Sequence, residues 1–221
     1  ILTIEDPVEY EIPGVNQSQV KPAIGLTFAT ALRSFVRQDP DVIMVGEVRD
    51  AETAHVAVHA ALTGHLVLTT LHTETAAAAL PRLLDLGIEA YLLRSTLRAV
   101  IAQRLVRQLC ERCKVARPLT AADFAEDPRL AAVGLRIGEI TYHPAGCERC
   151  GGTGFRGRLG AFEVLEVDNE LRDLIGEKTD GHKIDQAAIR AGMTTMLDDG
   201  LAKCRAGLTS PSEILRVTTA R

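Results

Sequence analysis

The segment Asp39-Pro40-Asp41-Val42-Ile43-Met44-Val45-Gly46-Glu47-Val48-Arg49-Asp50 constrains the fold most strongly. Four apolar residues, Val42 to Val45, stand between turn-forming and charged neighbours. A run this short and wholly apolar suits a strand buried on both faces, as strands of parallel sheets are. The stretch His65-Leu66-Val67-Leu68-Thr69-Thr70 repeats the pattern, and residues 1–8 open on a further strand that Pro7 stops. Between these strands lie helical patterns. Phe28, Leu32, Phe35 and Val36 keep helical spacing over 27–37, with Thr27 as N-cap, and a second helix is expected over 51–62. Strand, helix, strand, helix predicts an α/β fold with a parallel sheet.

The rest of the chain reads more coarsely. Residues 9–26 are expected to be loop, with Pro13, Gly14, Pro22 and Gly25. A long helical stretch is expected over 74–108, broken near Pro81 and Gly87. Residues 110–158 change character, with cysteines, prolines and a glycine-rich run. A last strand is expected over 159–167 and helices over 169–217. The final helix opens on Ser210 as N-cap, Pro211 in the first turn and Glu213 as the capping-box acid.

Composition excludes some functions. Lys and Arg number 25 against 29 Asp and Glu, a formal charge of −4, so the chain is not a bulk polyanion binder. Aromatic residues are 4% with no Trp, which disfavours base stacking. No stretch approaches the ~18 apolar residues of a membrane span. Glu5, Asp6, Glu9 and Glu11 precede the first base, Lys21, the reverse of a signal peptide. The chain opens on Ile1 within a strand, so it is expected to be a piece of a longer protein.

Open α/β sheets place ligands at the carboxyl ends of their strands. Glu5 and Asp6, then Glu47, then His72 fall there, on three separate strands. An apolar strand ending in an acid has the shape of a Walker B strand, which brings a carboxylate to the edge of a nucleotide site. Arg33 and Arg37 are i, i+4 on one helix face and could clamp phosphate, in cis or from a neighbouring subunit. His65 and His72 flank the third strand.

Cys110-Glu111-Arg112-Cys113 and Cys147-Glu148-Arg149-Cys150 are two CxxC knuckles separated by 33 residues. Together they could supply four thiolates to one tetrahedral Zn²⁺ with no open position, a structural rather than a catalytic site. Cys204 reads as a small core residue. His55 and His59 share a helix face, but Val56 stands where a zinc protease needs Glu. The basic run Arg94, Arg98, Arg104, Arg107, Arg112 and Lys114 reads first as a solvated or subunit-facing helix.

IEDPVEY, LRSFVRQDPDVIMVGEVRD and TGHLVLTTLHT, in this order, resemble the Asp box, Walker B region and His box of the secretion ATPases, the hexameric motors of type II secretion and type IV pilus assembly. Gly46 stands where a generic Walker B strand has Asp, as it does in that family. The resemblance covers essentially the whole chain. It implies a RecA-like parallel sheet over 1–109, an inserted tetracysteine zinc module over 110–158, and a last strand with a helical subdomain over 159–221. It implies that Glu5 and Glu47 are the catalytic and Mg²⁺-associated carboxylates, in either assignment. Asp6, Glu9, His65, His72, Arg33 and Arg37 would face nucleotide, the arginines across a subunit boundary. Expected cofactors are ATP, Mg²⁺ and Zn²⁺. Expected partners are five further copies, an inner-membrane platform protein and an adaptor for the N-terminal domain. The location would be cytoplasmic, peripheral at the inner membrane through those partners. The tetracysteine insertion favours assembly over retraction.

No GxxxxGK[ST] loop occurs in the 221 residues. It is expected upstream of Ile1, so these residues alone should bind ATP poorly and be inactive. Two rivals remain: a zinc-stapled interaction module with a non-hydrolysing core, and a DNA-uptake or conjugation motor. The charge balance disfavours nucleic acid as a partner.

Overall fold

A computed structural model describes residues 1–176 and 179–218. In chain order the elements begin β1 (Leu2–Glu5), β2 (Asn16–Gln19), α1 (Phe28–Phe35), β3 (Val42–Val45), α2 (Ala51–Leu62) and β4 (Leu66–Thr69). There follow α3 (Ala79–Asp85), α4 (Ala90–Thr96), β5 (Ala99–Leu109), β6 (Val115–Pro118), α5 (Ala121–Glu126), α6 (Arg129–Ala132), β7 (Ile140–His143) and β8 (Phe155–Glu166). The helices α7 (Asn169–Leu174), α8 (Gly181–Arg190), α9 (Met196–Arg205) and α10 (Pro211–Val217) complete the order. The chain divides into two compact units, Ile1–Val100 with Glu166–Arg190, and Ile101–Leu165 with Ala191–Arg221.

The first unit is mixed α/β around a parallel sheet of order β2-β1-β3-β4. Ile4 pairs with Val45, and Ile43 with Val67. Residues paired in a parallel register point to the same face, so Ile4, Ile43 and Val45 share one, and all three are fully buried. Helices α1 and α2 pack beside these strands. Both start as the sequence dictates. The Thr27 hydroxyl accepts from the Thr30 N–H and Thr30 returns the bond, a reciprocal cap. Asp50 caps α2 through the Thr53 N–H at 2.8 Å.

The second unit holds the pairs β5-β8 and β6-β7. The β6-β7 pair is antiparallel, with Val115 opposite His143. One core joins Leu119, Leu130, Val133, Leu135, Leu201 and Leu215. Val106, Ile214 and Cys204 form another, so Cys204 is the core residue expected, and burial pushes its thiol up to about 12.

Three expectations change. Within 9–26, residues Asn16–Gln19 form a strand on β1. The stretch read as helical over 74–108 ends at Thr96, and Ala99–Leu109 is a strand. Its residues alternate exposed and shielded from Ala99 to Arg107, a period of two that the apolar spacing of Ile101, Leu105 and Leu109 masks as helical. Arg104 and Arg107 therefore lie on a strand, not on a basic helix. Ser210 does begin α10 with Pro211 behind it, but makes no side-chain cap, and Glu213 turns instead to Arg107. Of the tail read as helical, 177 and 178 lie outside the described residues; the other helices are separate short ones.

Candidate nucleotide site and metal centre

The sheet places the candidate nucleotide residues in two groups. The first sits at the carboxyl edge. Gly46 N–H donates to the Ile4 carbonyl at 2.8 Å, which holds the end of β3 against the end of β1. A Cβ at Gly46 would stand 3.3 Å from both the Glu5 Cα and the Ile4 carbonyl oxygen. A residue without a side chain thus lets Glu5 and the start of the Glu47 loop approach. On the other side, Thr70 Oγ1 donates to the Gly46 carbonyl at 2.6 Å, and Val48 N–H to the Thr70 carbonyl at 3.1 Å. The chain beyond β4 is thereby drawn to the same place.

Glu47 is mostly buried, its side chain 13% exposed, and its Oε2 faces a guanidinium and an imidazole. Arg49 Nε donates to it at 2.6 Å and His72 Nε2 lies at 3.4 Å. The imidazole and guanidinium are both largely exposed, so they shield the acid while solvent and ligand can still reach them. Glu5 Oε1 accepts from Thr3 Oγ1 at 2.5 Å and from Gln17 Nε2 at 2.9 Å. Asp6 and Glu9 follow β1 on the exposed segment. Thr3, Gln17 and Arg49 were not among the residues expected. Arg49 could have been found from its place two residues after Glu47. Gln17 was hidden in a stretch without hydrophobic pattern.

The second group lies at the opposite, amino edge of the sheet. Arg33, Arg37, His59, Thr63 and His65 line a cleft of about 430 Å³ with Val56. It is bounded by the last turns of α1 and α2 and the entry to β4. His65 Nδ1 lies 2.9 Å from the Ala60 carbonyl, which can only accept, so Nδ1 carries the proton and Nε2 is left for a ligand. Arg33 pairs with Glu52 at 2.7 Å across an exposed surface. Such a pair is worth at most ~1 kcal/mol and releases the arginine at small cost. His55 lies 4.0 Å from Glu89 and shares no metal cluster with His59 among the described residues.

In the second unit the sulfurs of Cys110, Cys113, Cys147 and Cys150 lie within 4.8 Å of one another. Cys110–Cys147, Cys113–Cys150 and Cys147–Cys150 are 3.9, 3.8 and 3.8 Å apart. Four sulfurs at ~2.3 Å from a tetrahedral ion stand about 3.8 Å apart, so the thiols fit one Zn²⁺. They are far beyond the ~2.05 Å of a disulfide. Cys147 and Gly154 N–H groups each donate to Cys150 Sγ at 3.2 Å. Burial pushes the Cys150 thiol up, but these donors outweigh it and bring it down to about 6. Burial pushes the Cys113 thiol up to about 11. The backbone is thus set to favour a thiolate at one corner. Gly146 and Gly154, at φ +94° and +75°, shape the second knuckle, since a Cβ on either would meet Gly152 or Pro144 within 2.5 Å.

The sequence profile of the family described as type II/IV secretion system protein matches residues 1–216. The chain belongs to that family. It is 52% identical to the type IV pilus assembly ATPase PilB of Thermus thermophilus, over 98% of this chain and 24% of that protein. Type II secretion system protein E of Aeromonas hydrophila is 48% identical, over 99% of this chain and 42% of that protein. The chain thus spans less than half the length of either relative. Its fold is similar to that of the pilus retraction motor PilT with bound ADP. The TM-score is 0.66 at 30% identity, over 99% of this chain and 52% of that one. The ATPase DotB of Legionella pneumophila gives 0.64 at 26% identity, over 98% and 50%. No helix among the described residues is long and apolar enough to cross a membrane.

Proposed function

We propose that this chain is the catalytic part of a Mg²⁺-dependent ATPase that powers pilin or pseudopilin assembly, in type II secretion or type IV pilus biogenesis. One observation carries the reading. Glu5 ends β1 and Glu47 lies two residues past the adjacent β3, at the carboxyl edge of a parallel sheet, with the His72 imidazole 3.4 Å from the second. Phosphoryl transfer asks for positioning and for neutralised charge more than for covalent chemistry, and this edge offers both. Of the two carboxylates, one would hold the proton of the attacking water and the other would face the metal. His72 and Arg49, beside Glu47, would meet charge that develops on phosphate. Asp6 and Glu9 flank the entry. Bound Mg²⁺ would neutralise phosphate oxygens.

The amino-edge cleft would serve a different nucleotide. Arg33, Arg37 and His65 would reach the phosphates bound by a neighbouring copy, which asks for an assembly of copies; the resemblance to the secretion ATPases makes that assembly a ring of six. The resemblance extends this to an inner-membrane platform protein and an adaptor as partners, at the cytoplasmic face of the inner membrane. The four-cysteine centre would hold Zn²⁺ as a structural staple, and its presence favours assembly over retraction. Glu47→Gln in the full-length protein tests the reading. ATP turnover should fall by at least ~100-fold while ATP binding persists. Unchanged turnover would remove Glu47 from the mechanism.

A further inference from the structure

We propose that Gln17 is a positioning residue for Glu5, fixing which carboxylate oxygen faces the reaction. The inference rests on the reading of Glu5 as one of the two working carboxylates. The parallel register sets Thr3 beside Gln17 and Glu5 beside Gln19. Side chains alternate along a strand, so Thr3, Glu5 and Gln17 share one face of the sheet. The amide of Gln17 has no freedom to turn over. Its Oε1 accepts from the Ile12 N–H at 2.6 Å, which makes the other end the donor. Nε2 spends its two hydrogens on Glu5 Oε1 at 2.9 Å and on the Tyr10 carbonyl at 3.0 Å. Thr3, only 4% exposed, adds its hydroxyl to the same Glu5 oxygen at 2.5 Å. Oε1 is therefore committed to the protein, and Oε2 is the oxygen left for the reaction. One side chain ties the loop of residues 10–12 and the carboxylate into a single unit.

A carboxylate held at one oxygen has a defined direction; released, it samples rotations that misplace the working oxygen. Misplacement by ~1 Å costs about 10²-fold in rate. Gln17→Glu isolates this effect. The new side chain has the same shape and still accepts from Ile12 N–H, so part of the loop anchor survives. It offers an oxygen, not an N–H, to Glu5, and like charges then repel. Gln17→Ala removes both functions.

The experiment is steady-state ATP turnover by the full-length protein, parent against Gln17→Glu, Gln17→Ala and Glu5→Gln, with nucleotide affinity and thermal melting on each. Both Gln17 variants should lose roughly tenfold or more in kcat with KM within about twofold. The loss in Gln17→Glu should be at least that of Gln17→Ala. Parental kcat in both Gln17 variants, with Glu5→Gln inactive, would overturn the inference and leave the role of Glu5 standing. So would a loss confined to KM, or one tracking a lower melting temperature, which marks a loop-holding role only. Parental turnover in Glu5→Gln would overturn the reading of Glu5, and the inference with it.

Discussion

Glu213 carries its charge while its side chain is 2% exposed, because its partners replace water. It accepts from the Arg107 backbone N–H at 2.9 Å, from Arg107 Nη2 at 2.7 Å, and from Arg216 Nε and Nη2 at 3.1 and 3.0 Å. Burial pushes its carboxyl up, but the guanidiniums and the N–H outweigh it and bring it down to about 2. A depressed carboxylate contributes stability that is present above the unfolded pKa of ~4.3 and is lost as pH falls through the folded value. Acid should therefore weaken this contribution from about pH 4 down towards about pH 2. Glu213→Gln should cost about 2 kcal/mol at neutral pH, because a neutral amide replaces the buried carboxylate that accepts from both guanidiniums and turns an N–H to a place where an acceptor is needed. Chemical denaturation at pH 7 and pH 3 checks both statements; the difference between parent and variant should shrink at the lower pH. The sequence places Glu213 as a local capping acid. One of its two guanidinium partners, Arg107, lies 106 residues away, a contact no local pattern carries. Thr27, by contrast, was legible because a cap bonds only within three residues.

At the scale of elements, legibility follows the source of each element's stability. The apolar run of β3 and the bounds of α2, Ala51–Leu62, are visible in the residues because burial alone selects them. The strand β2 is Asn-Gln-Ser-Gln, with no hydrophobic pattern; backbone pairing to β1 and the bonds of Gln17 hold it. The strand β5 pairs with β8, from the far side of the cysteine module, and its spacing fits a helix as well as a strand. The two knuckles were legible because CxxC spacing is set by ligand geometry, and the four thiols do converge. Lys114, one residue past the first knuckle, donates to the Gly207 carbonyl at 2.9 Å, so the centre is tied to the end of α9. Cys147→Ser, or a strong chelator, should remove about one zinc per chain and lower the melting temperature by at least ~5 °C. Metal analysis beside a thermal melt checks this, and metal-free protein with parental melting would contradict the staple.

At the scale of the whole molecule, the division of the candidate residues is what matters. Glu5, Glu47 and His72 gather at the carboxyl edge of the sheet, and Arg33, Arg37 and His65 line the cleft at the amino edge. Strands of four residues at ~3.3 Å each put roughly 13 Å between those edges, too far for both groups to hold one γ-phosphate. The carboxyl-end placement of Glu5, Glu47 and His72 was legible in the sequence; that His65 joins Arg33 and Arg37 in one cleft at the other edge was not, since it depends on which end of a strand or helix each residue occupies. If both groups act in one turnover, they come from two copies of the chain. The most direct measurement mixes two inactive full-length variants, Glu47→Gln and the double variant Arg33→Ala/Arg37→Ala, and follows ATP turnover. Mixed assemblies contain boundaries with an intact carboxyl edge on one copy and intact arginines on the next. Turnover should reappear, at a fraction of the parental rate. Co-assembled variants that stay inactive would contradict a site shared between copies.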